Sequence, residues 1–286
     1  MLEIFVSSEN RTINKPGKSS ITLGLKVAML LAIDIGNTQI VCGVFQKNTL
    51  IADWRVSTNH TKTSDEYDMN LRSLLEIHKV DLAKIHGCIM TSVVPPLTHA
   101  FETLLHSLVG QAPIIVTSSC PHGLILRYDN PEEIGTDRLV NAAAAFFHYQ
   151  RSLIIVDFGT ATTFCTITQQ GEYLGGAIAP GLKTAADSLH LKTAKLPKVD
   201  LAIPDSVIGR DTATSMQSGI MFGYAGLVDA IVKRIQKDIG QSSYVLATGG
   251  LASTIIPISE TIQEVRSHLT LEGLALIYSR MKPACG

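Results

Sequence analysis

The chain contains one short sequence pattern twice. Residues 32–45 read Ala-Ile-Asp-Ile-Gly-Asn-Thr-Gln-Ile-Val-Cys-Gly-Val-Phe, and residues 155–168 read Ile-Val-Asp-Phe-Gly-Thr-Ala-Thr-Thr-Phe-Cys-Thr-Ile-Thr. The offset is the same for the aspartate, the glycine and the cysteine, which are Asp34, Gly36 and Cys42 in the first copy. Each copy predicts a β-hairpin with a carboxylate and a glycine turn. Two such hairpins facing each other would hold phosphate from two sides, which indicates a nucleotide-dependent enzyme.

Secondary-structure signals follow each copy in a similar order. Before residue 150, apolar and β-branched runs predict strands at 30–35, 40–46, 50–57, 86–93 and 113–117. Helices are predicted after a capping box formed by Thr63 and Glu66, from Pro95-Pro96 to about residue 108, and at 136–149. After residue 150, strands are predicted at 153–158, 162–168, 172–179 and 243–248, with helices to the end.

This repeated order predicts a duplicated α/β fold. The expected architecture is two ribonuclease H-like domains with a nucleotide cleft between them, as in actin, Hsp70 and the sugar kinases. We expect the domains at residues 29–150 and 151–286. Residues 1–28 read as a flexible extension, or as sequence upstream of a natural start at Met29; a targeting arm is the alternative.

The net charge and the cysteine content limit the binding partners and the cellular compartment that we expect. The formal net charge is −1, so no general attraction to nucleic acid or to an anionic membrane is expected. The five cysteines are scattered and form no Cys-x-x-Cys, which is typical of a cytoplasmic protein. No apolar stretch approaches the roughly 20 residues that a membrane-spanning helix needs.

The first hairpin has the residues for a phosphate and magnesium site. Gly36 lets backbone N–H groups approach a phosphate, and Asn37 and Thr38 add side-chain donors. Asp34, at the end of a predicted strand, could hold Mg²⁺ through water. The alternative is an ordinary hairpin turn.

The second hairpin repeats this chemistry with Asp157, Gly159, Thr160, Thr162 and Thr163. A buried, unpaired carboxylate at a strand end is costly, and a bound cation would remove that cost. The alternative is that the aspartate caps local backbone N–H groups. The later pair Gly249-Gly250 follows a predicted strand and could lie against adenosine, although such pairs mark many turns.

A third polar segment, Gly135–Arg138, precedes the alanine-rich helix predicted at 136–149. Its residues could receive a polar substrate, or Thr136 or Asp137 could simply cap the helix. A helix N-terminus should lower the pKa of Asp137 and make it a weak base. Phosphoryl transfer tolerates a weak base, because its loose transition state depends mainly on positioning and charge stabilisation.

Taken together, these motifs resemble those of the type III pantothenate kinase family, from Met29 to about Arg280. The residues that carry the resemblance are Leu31–Thr38, Thr91–Pro95, Tyr128, Gly135–Arg138, Asp157–Thr162, Gly175–Gly181, Gly209–Thr212 and Met216–Gly219. The resemblance implies an ATP-dependent kinase that phosphorylates pantothenate in the first step of coenzyme A biosynthesis.

The resemblance also implies roles for individual residues. The ATP-binding residues would be Asp34, Ile35, Gly36, Asn37, Thr38, Gln39, Ile40, Val41 and Thr160. Pantothenate would contact Tyr128, Gly135, Thr136, Asp137, Arg138 and Thr212, with Asp137 as the proton acceptor. Asp157 would bind a monovalent cation, K⁺ or NH₄⁺, and Mg²⁺ would accompany ATP.

The resemblance further implies a homodimer, and the apolar run from Met216 to Ile235 could form its interface or belong to the core. Two other functions remain open at this point. One is a non-catalytic regulatory accessory factor of the same family, which the intact Asp34, Asp137 and Asp157 disfavour. The other is an actin-like ATPase, which the short domains and the Gly135–Arg138 segment disfavour.

Overall fold

The computed structural model describes residues 28–281 of the chain. The predicted extension lies outside the described residues except for its last residue. The first seven elements are β1 (Met29–Ile35), β2 (Gln39–Gln46), β3 (Thr49–Ser57), α1 (Ser64–Ile77), β4 (Ile85–Ser92), α2 (Pro95–Val109) and β5 (Ile114–Ile115). Among residues 28–281, none of the helices is long and apolar enough to cross a membrane.

These strands form one mixed sheet in the order β3-β2-β1-β4-β5. The strands β1, β2 and β3 are an antiparallel meander, whereas β4 runs parallel to β1 and β5 parallel to β4. The predicted capping box of Thr63 and Glu66 is present at the start of α1. Helices α1 and α2 bury their apolar faces on one side of this sheet.

The remaining elements are β6 (Ile125–Leu126), α3 (Thr136–Tyr149), β7 (Leu153–Phe158), β8 (Ala161–Ile167), β9 (Glu172–Pro180), α4 (Leu182–Leu191), α5 (Thr212–Asp238), β10 (Tyr244–Thr248), α6 (Ala252–Ile255), β11 (Glu264–Val265) and α7 (Leu269–Met281). Their strands form a second sheet in the order β11-β10-β7-β8-β9-β6.

The two sheets have the same topology, which confirms the predicted duplication. The strands β7, β8 and β9 are an antiparallel meander, and β10 and β11 extend the sheet in parallel beyond β7. This is the arrangement of β1 to β5. The single addition is β6, which pairs in parallel with β9 at the opposite edge.

The last helix returns to the first sheet. Leu271, Leu274 and Ile277 of α7 share a core with Leu30 and Ala32 of β1. Helix α7 also lies close to α3, because Gly273 has no side chain: a Cβ there would be 2.3 Å from the Val140 carbonyl oxygen. The helices α3 and α7 therefore pack together between the two sheets.

Some predicted boundaries differ from the structure. The strand expected at 113–117 covers only Ile114–Ile115, and the short edge strands β6 and β11 were not predicted. Both are two residues long, too short to show an alternating pattern. The domain boundary at 150/151 stays a prediction, since β6 joins the second sheet and α7 packs on the first.

Candidate active site

The two copies of the repeated pattern form facing hairpins. In the first turn, the Gly36 N–H donates to the Gln39 carbonyl at 3.0 Å. In the second, the Gly159 N–H donates to the Ala161 carbonyl at 3.1 Å. The Thr38 and Thr160 hydroxyl oxygens lie 2.7 Å apart, so the two hairpin tips touch.

A cleft of about 300 Å³ lies behind these tips. Its lining comes from both halves of the chain: Asp34, Gly36, Asn37, Gln39, Val41, Arg55, Val93, Asp137, Asp157, Gly159, Thr160, Ala161, Thr163, Thr248, Gly249, Gly250, Ser267, His268, Thr270 and Leu271. Polar side chains and glycine-rich turns of this kind are suited to a phosphate-bearing ligand.

Most of the predicted nucleotide-binding residues line this cleft. The exceptions in the first hairpin are Ile35, Thr38 and Ile40. The side chains of Ile35 and Ile40 are fully buried in the core of the first sheet, so only their backbone can face a nucleotide. The Thr38 hydroxyl is at the hairpin tip, against Thr160.

Three carboxylates converge in the cleft: Asp34, Asp137 and Asp157. Burial raises the pKa of Asp34 well above its ordinary value, and the nearby Asp137 and Asp157 raise it further. Burial, and then the charge of Asp137, raise the pKa of Asp157 to about 7. Buried carboxylates that repel each other in this way create a demand for positive charge in the cleft.

The expectation that the helix N-terminus lowers the pKa of Asp137 was wrong. Burial raises the pKa of Asp137, and this effect exceeds the opposing hydrogen bond from the Arg138 N–H, which Asp137 Oδ1 accepts at 2.8 Å. Helix α3 begins directly before Asp137, but Gly135 and not a polar side chain is its N-cap. Desolvation therefore makes Asp137 a better base than its position on the helix suggested.

The described residues contain no group of three or more His, Cys, Asp or Glu side chains that could hold a metal ion by themselves. Single half-buried carboxylates suit a different arrangement, because Mg²⁺ is commonly held by one or two carboxylates, water and phosphate oxygens. Asp34 and Asp157 each contribute one such carboxylate to the cleft lining.

A half-buried hydrogen-bond chain orients Asp157. The Asn141 Nδ2 donates to Asp157 Oδ2 at 3.0 Å, and the Thr270 hydroxyl donates to Asn141 Oδ1 at 2.8 Å. The second bond determines which way the amide points, since a hydroxyl that donates requires the amide oxygen. The other carboxylate oxygen, Oδ1, faces Gly249, where a Cβ would be only 2.5 Å away.

The predicted pantothenate residues form a second cluster behind Asp137. Arg138 is 7% exposed, and its Nε donates to Cys165 Sγ at 3.4 Å. The Tyr173 hydroxyl donates to the same sulfur, and the ring of Tyr173 lies 6.3 Å from that of Tyr128. Among the described residues Arg138 forms no ion pair, so this buried cation is suited to an anionic group of a ligand.

Of the predicted substrate residues, Asp137 lines the cleft, whereas Tyr128, Gly135, Thr136, Arg138 and Thr212 do not. Thr136 hydrogen-bonds with Thr91 of β4, whose hydroxyl donates to the Thr136 oxygen at 2.6 Å. Thr212 is exposed at the start of α5, and no contact among the described residues joins it to Tyr128 or Arg138. Its role in substrate binding stays a prediction.

Several residues in or next to the cleft were not predicted from the sequence. Asn141 follows Asp137 by four residues on a predicted helix, and this spacing places both side chains on one face, so it was a usable signal. Arg55, His268 and Thr270 had no comparable signal: Arg55 lies on β3, His268 in the loop before α7 and Thr270 on α7.

Comparisons with known proteins identify the family of this chain. The family model described as type III pantothenate kinase matches residues 30–234. A type III pantothenate kinase of Syntrophotalea carbinolica is 49% identical over 89% of this chain and 100% of the relative. One from Geobacter sulfurreducens is 48% identical over 88% of this chain and 99% of the relative.

Solved structures share the fold at low identity. One is component A of (R)-2-hydroxyglutaryl-CoA dehydratase from Acidaminococcus fermentans, with a TM-score of 0.54 at 16% identity over 89% of this chain and 98% of that one. Another is the ethanolamine utilization protein EutJ from Carboxydothermus hydrogenoformans, with a TM-score of 0.54 at 14% identity over 87% of this chain and 89% of that one. By the family match and the identity to its relatives, the chain belongs to the type III pantothenate kinase family.

Proposed function

We propose that this protein transfers the γ-phosphoryl group of ATP to the hydroxyl of pantothenate, which gives 4'-phosphopantothenate, the first step of coenzyme A biosynthesis. The observation that carries the proposal is the convergence of three half-buried carboxylates with the two facing hairpins in one cleft. Membership of the type III pantothenate kinase family supports the choice of substrate.

In this reaction the hairpins hold the phosphate chain through the Thr38 and Thr160 hydroxyls and through turn N–H groups other than those of Gly36 and Gly159, which close the turns. The pantothenate hydroxyl oxygen forms a bond to the γ-phosphorus while the bond from that phosphorus to the β–γ bridging oxygen breaks, and ADP leaves. The proton of the hydroxyl goes to Asp137, whose raised pKa favours its acceptance.

Cations would neutralise charge on the phosphate oxygens during transfer. Asp34 would hold Mg²⁺ through water, and Asp157 would hold K⁺ or NH₄⁺. Burial of both carboxylates supports these assignments, because each needs a positive partner when it is ionised. The Asn141 amide keeps Asp157 Oδ2 occupied, which leaves Oδ1 for a ligand.

Pantothenate would bind where Tyr128 and the Gly135–Arg138 segment meet. The buried guanidinium of Arg138 suits the pantothenate carboxylate, and Tyr128 packs over Gly175, where a Cβ would lie 3.1 Å from the tyrosine ring. Thr212 would complete the pocket.

A homodimer that uses the outer face of α5 is part of the proposal. Gly219, Gly223 and Gly226 lie on this helix, and a Cβ at any of them would meet no described atom within 4 Å. The inner face, including Met221 and Val228, is core. The run from Met216 to Ile235 thus serves the core on one face and leaves the other available. A cytoplasmic location stays a prediction from the cysteine pattern.

The test is a product assay with purified protein, ATP, Mg²⁺ and pantothenate, in parallel with K⁺, NH₄⁺ or Na⁺. We expect 4'-phosphopantothenate to form only when pantothenate is present, and faster with K⁺ or NH₄⁺ than with Na⁺. ATP hydrolysis at a rate that does not depend on pantothenate would indicate an actin-like ATPase instead. Failure to consume ATP under any condition would favour a non-catalytic regulatory factor.

A further inference from the structure

Arg55 occupies an unassigned position on the wall of the cleft. It belongs to β3, where its register partner on β2 is Val41, and Val41 is in turn the register partner of Asp34 on β1. Residues opposite each other in adjacent strands project to the same face of a sheet. Asp34, Val41 and Arg55 therefore form one cross-strand row, and all three line the cleft.

The row lies at the level of the first phosphate-binding turn. Asp34 is two residues before Gly36, which makes the turn hydrogen bond to Gln39. The next row toward the interior contains Gly43 and Asp53, and Leu271 of α7 covers it, since a Cβ at Gly43 would be 2.7 Å from a Leu271 methyl carbon. The Arg55 side chain is exposed and therefore points along the open part of the cleft.

The charge balance of the cleft makes Arg55 distinctive. Among the described residues that line it, Arg55 has the one permanently positive side chain, beside three carboxylates. The other basic residue, His268, lies 3.4 Å from Asp53 Oδ2, its Nε2 facing that carboxylate. Arg55 forms no ion pair with any residue of the described chain. A site with this acidic lining needs such a cation if it is to accept a nucleoside triphosphate.

We propose that Arg55 is a nucleotide-binding residue that contacts the phosphate chain from the side of the first sheet. This inference rests on the proposed use of ATP. A guanidinium presents several N–H donors in a plane and so can bind two phosphate oxygens at once, which suits it to this position.

The test is a nucleotide series on the purified full-length protein with Mg²⁺ present. Dissociation constants for ATP, ADP, AMP and adenosine are measured by calorimetry for wild type, Arg55→Gln and Arg55→Lys. We expect Arg55→Gln to weaken ATP binding about tenfold, as for loss of one charge-assisted contact, with a smaller loss for ADP and an unchanged constant for adenosine. Arg55→Lys should recover part of the ATP affinity.

The matched control is Arg72→Gln, which removes an arginine of the same half that is paired with Asp68 on α1, outside the cleft. We expect its ATP affinity to match wild type. Equal losses for all four ligands in Arg55→Gln would assign Arg55 to the base or ribose and overturn the proposal, as would wild-type ATP binding. Thermal melting identifies any variant that has unfolded. If Arg55→Gln has unfolded, the same nucleotide series on Arg55→Lys decides whether Arg55 contacts the phosphates.

The same measurements separate this inference from the proposed function. If wild-type protein binds ATP but forms no 4'-phosphopantothenate, the proposed substrate is wrong, and the nucleotide series still decides the role of Arg55. If product forms and Arg55→Gln binds ATP normally, the proposed function stands and the inference about Arg55 is wrong.

Discussion

The hydroxyl oxygens of Thr38 and Thr160 lie 2.7 Å apart, although 122 residues separate them in the chain. This contact joins the tips of the duplicated hairpins at the mouth of the cleft. Both threonines are exposed, so water can replace either partner at little cost. The contact therefore contributes little to stability, and the two hydroxyls are free to turn toward a phosphate.

This arrangement predicts a separation between folding and binding. Thr38→Val and Thr160→Val should each change the free energy of unfolding by less than about 1 kcal/mol, because the lost hydrogen bond is exposed. Each should raise the KM for ATP several-fold, since the hydroxyl proposed to donate to the phosphates is lost. Thermal melting and steady-state kinetics measure the two effects, and Thr→Ser variants at both positions provide the control. A large drop in melting temperature with unchanged KM would contradict this prediction.

Asp137→Asn should lower kcat by about 10²–10⁴, the range for loss of a general base. ATP affinity should not fall, because the change removes a negative charge from a cleft that holds two other carboxylates. The matched control is Asp65→Asn, which alters an exposed carboxylate in the first turn of α1. Turnover of Asp137→Asn at the wild-type rate would show that Asp137 is not the proton acceptor.

The pKa of Asp137 also predicts how the rate depends on pH. Only the ionised carboxylate can accept the hydroxyl proton, and burial raises its pKa above the ordinary value of 3.8. Activity should therefore fall as the pH falls through this raised pKa, at a higher pH than a solvent-exposed aspartate would give. A profile of kcat/KM between pH 4 and pH 9 measures the position of this limb.

Asp157 predicts an unusual pH dependence of stability in the absence of ligands. Its pKa is about 7 in the folded protein and ordinarily 3.8, so between these values the folded state binds more protons than the unfolded state. Protonated Asp157 thus stabilises the folded state below about pH 4. This contribution to the free energy of unfolding is lost as the pH rises through 7, by about 1.4 kcal/mol per pH unit at most. Asp157→Asn should remove this loss and melt at a higher temperature than wild type at pH 8.

Denaturant unfolding of both proteins at pH 5 and pH 8 gives the comparison, without nucleotide and in buffer of constant ionic strength. If Asp157→Asn loses as much stability as wild type between these pH values, another group carries the dependence. Asp34, whose pKa is also raised by burial, would be the next candidate.

The Asn141 and Thr270 chain predicts a positioning effect on Asp157. Asn141→Ala removes the donor to a buried carboxylate, which should cost about 1–3 kcal/mol of stability and raise the K⁺ concentration for half-maximal activity. Thr270→Val should produce the same shift more weakly, because the amide loses the donor that orients it. Thr270→Ser retains the hydroxyl and should behave as wild type, and a Thr270→Ser variant with the Val phenotype would refute the orienting role.

The two adjacent glycines after β10 predict opposite outcomes. Gly249 has φ +89°, and a Cβ there would lie 2.5 Å from Asp157 Oδ1 and 2.7 Å from the Phe158 backbone, so Gly249→Ala should displace the carboxylate and lower both stability and activity. Gly250→Ala introduces a Cβ with no described atom within 4 Å and is the matched control. Melting temperature and kcat/KM of the two variants give the contrast. Equal effects would contradict this account.

Local features could be predicted from sequence where short-range physics decides them. The capping box at Thr63 and Glu66, the start of α2 at Pro95, and the two hairpins depend on residues within a few positions of each other. The same holds for the placement of Asp34 and Asp157 at strand ends. The edge strands β6 and β11 depend instead on a distant partner strand, and neither has a pattern of its own.

The pKa of Asp137 likewise depends on both the local sequence and the tertiary structure. From its neighbours in sequence, the helix N-terminus was expected to lower its pKa, and the Arg138 N–H does donate to it. Burial in the folded cleft outweighs this effect and raises the pKa. Desolvation depends on every element packed around a group, so no local window of sequence contains it.

The sequence by itself determined the duplicated α/β fold and the two hairpins, because periodic patterns and turn residues encode local structure directly. The catalytic candidate Asp137 came from the resemblance to the family and stays a prediction. Only the tertiary structure decided which side chains share the cleft. It brought Arg55 from β3, Asn141 from α3 and Thr270 from α7 to the duplicated aspartates. The physical reason is that the packing of α3 and α7 between two sheets sets these distances, and packing is a property of the whole chain.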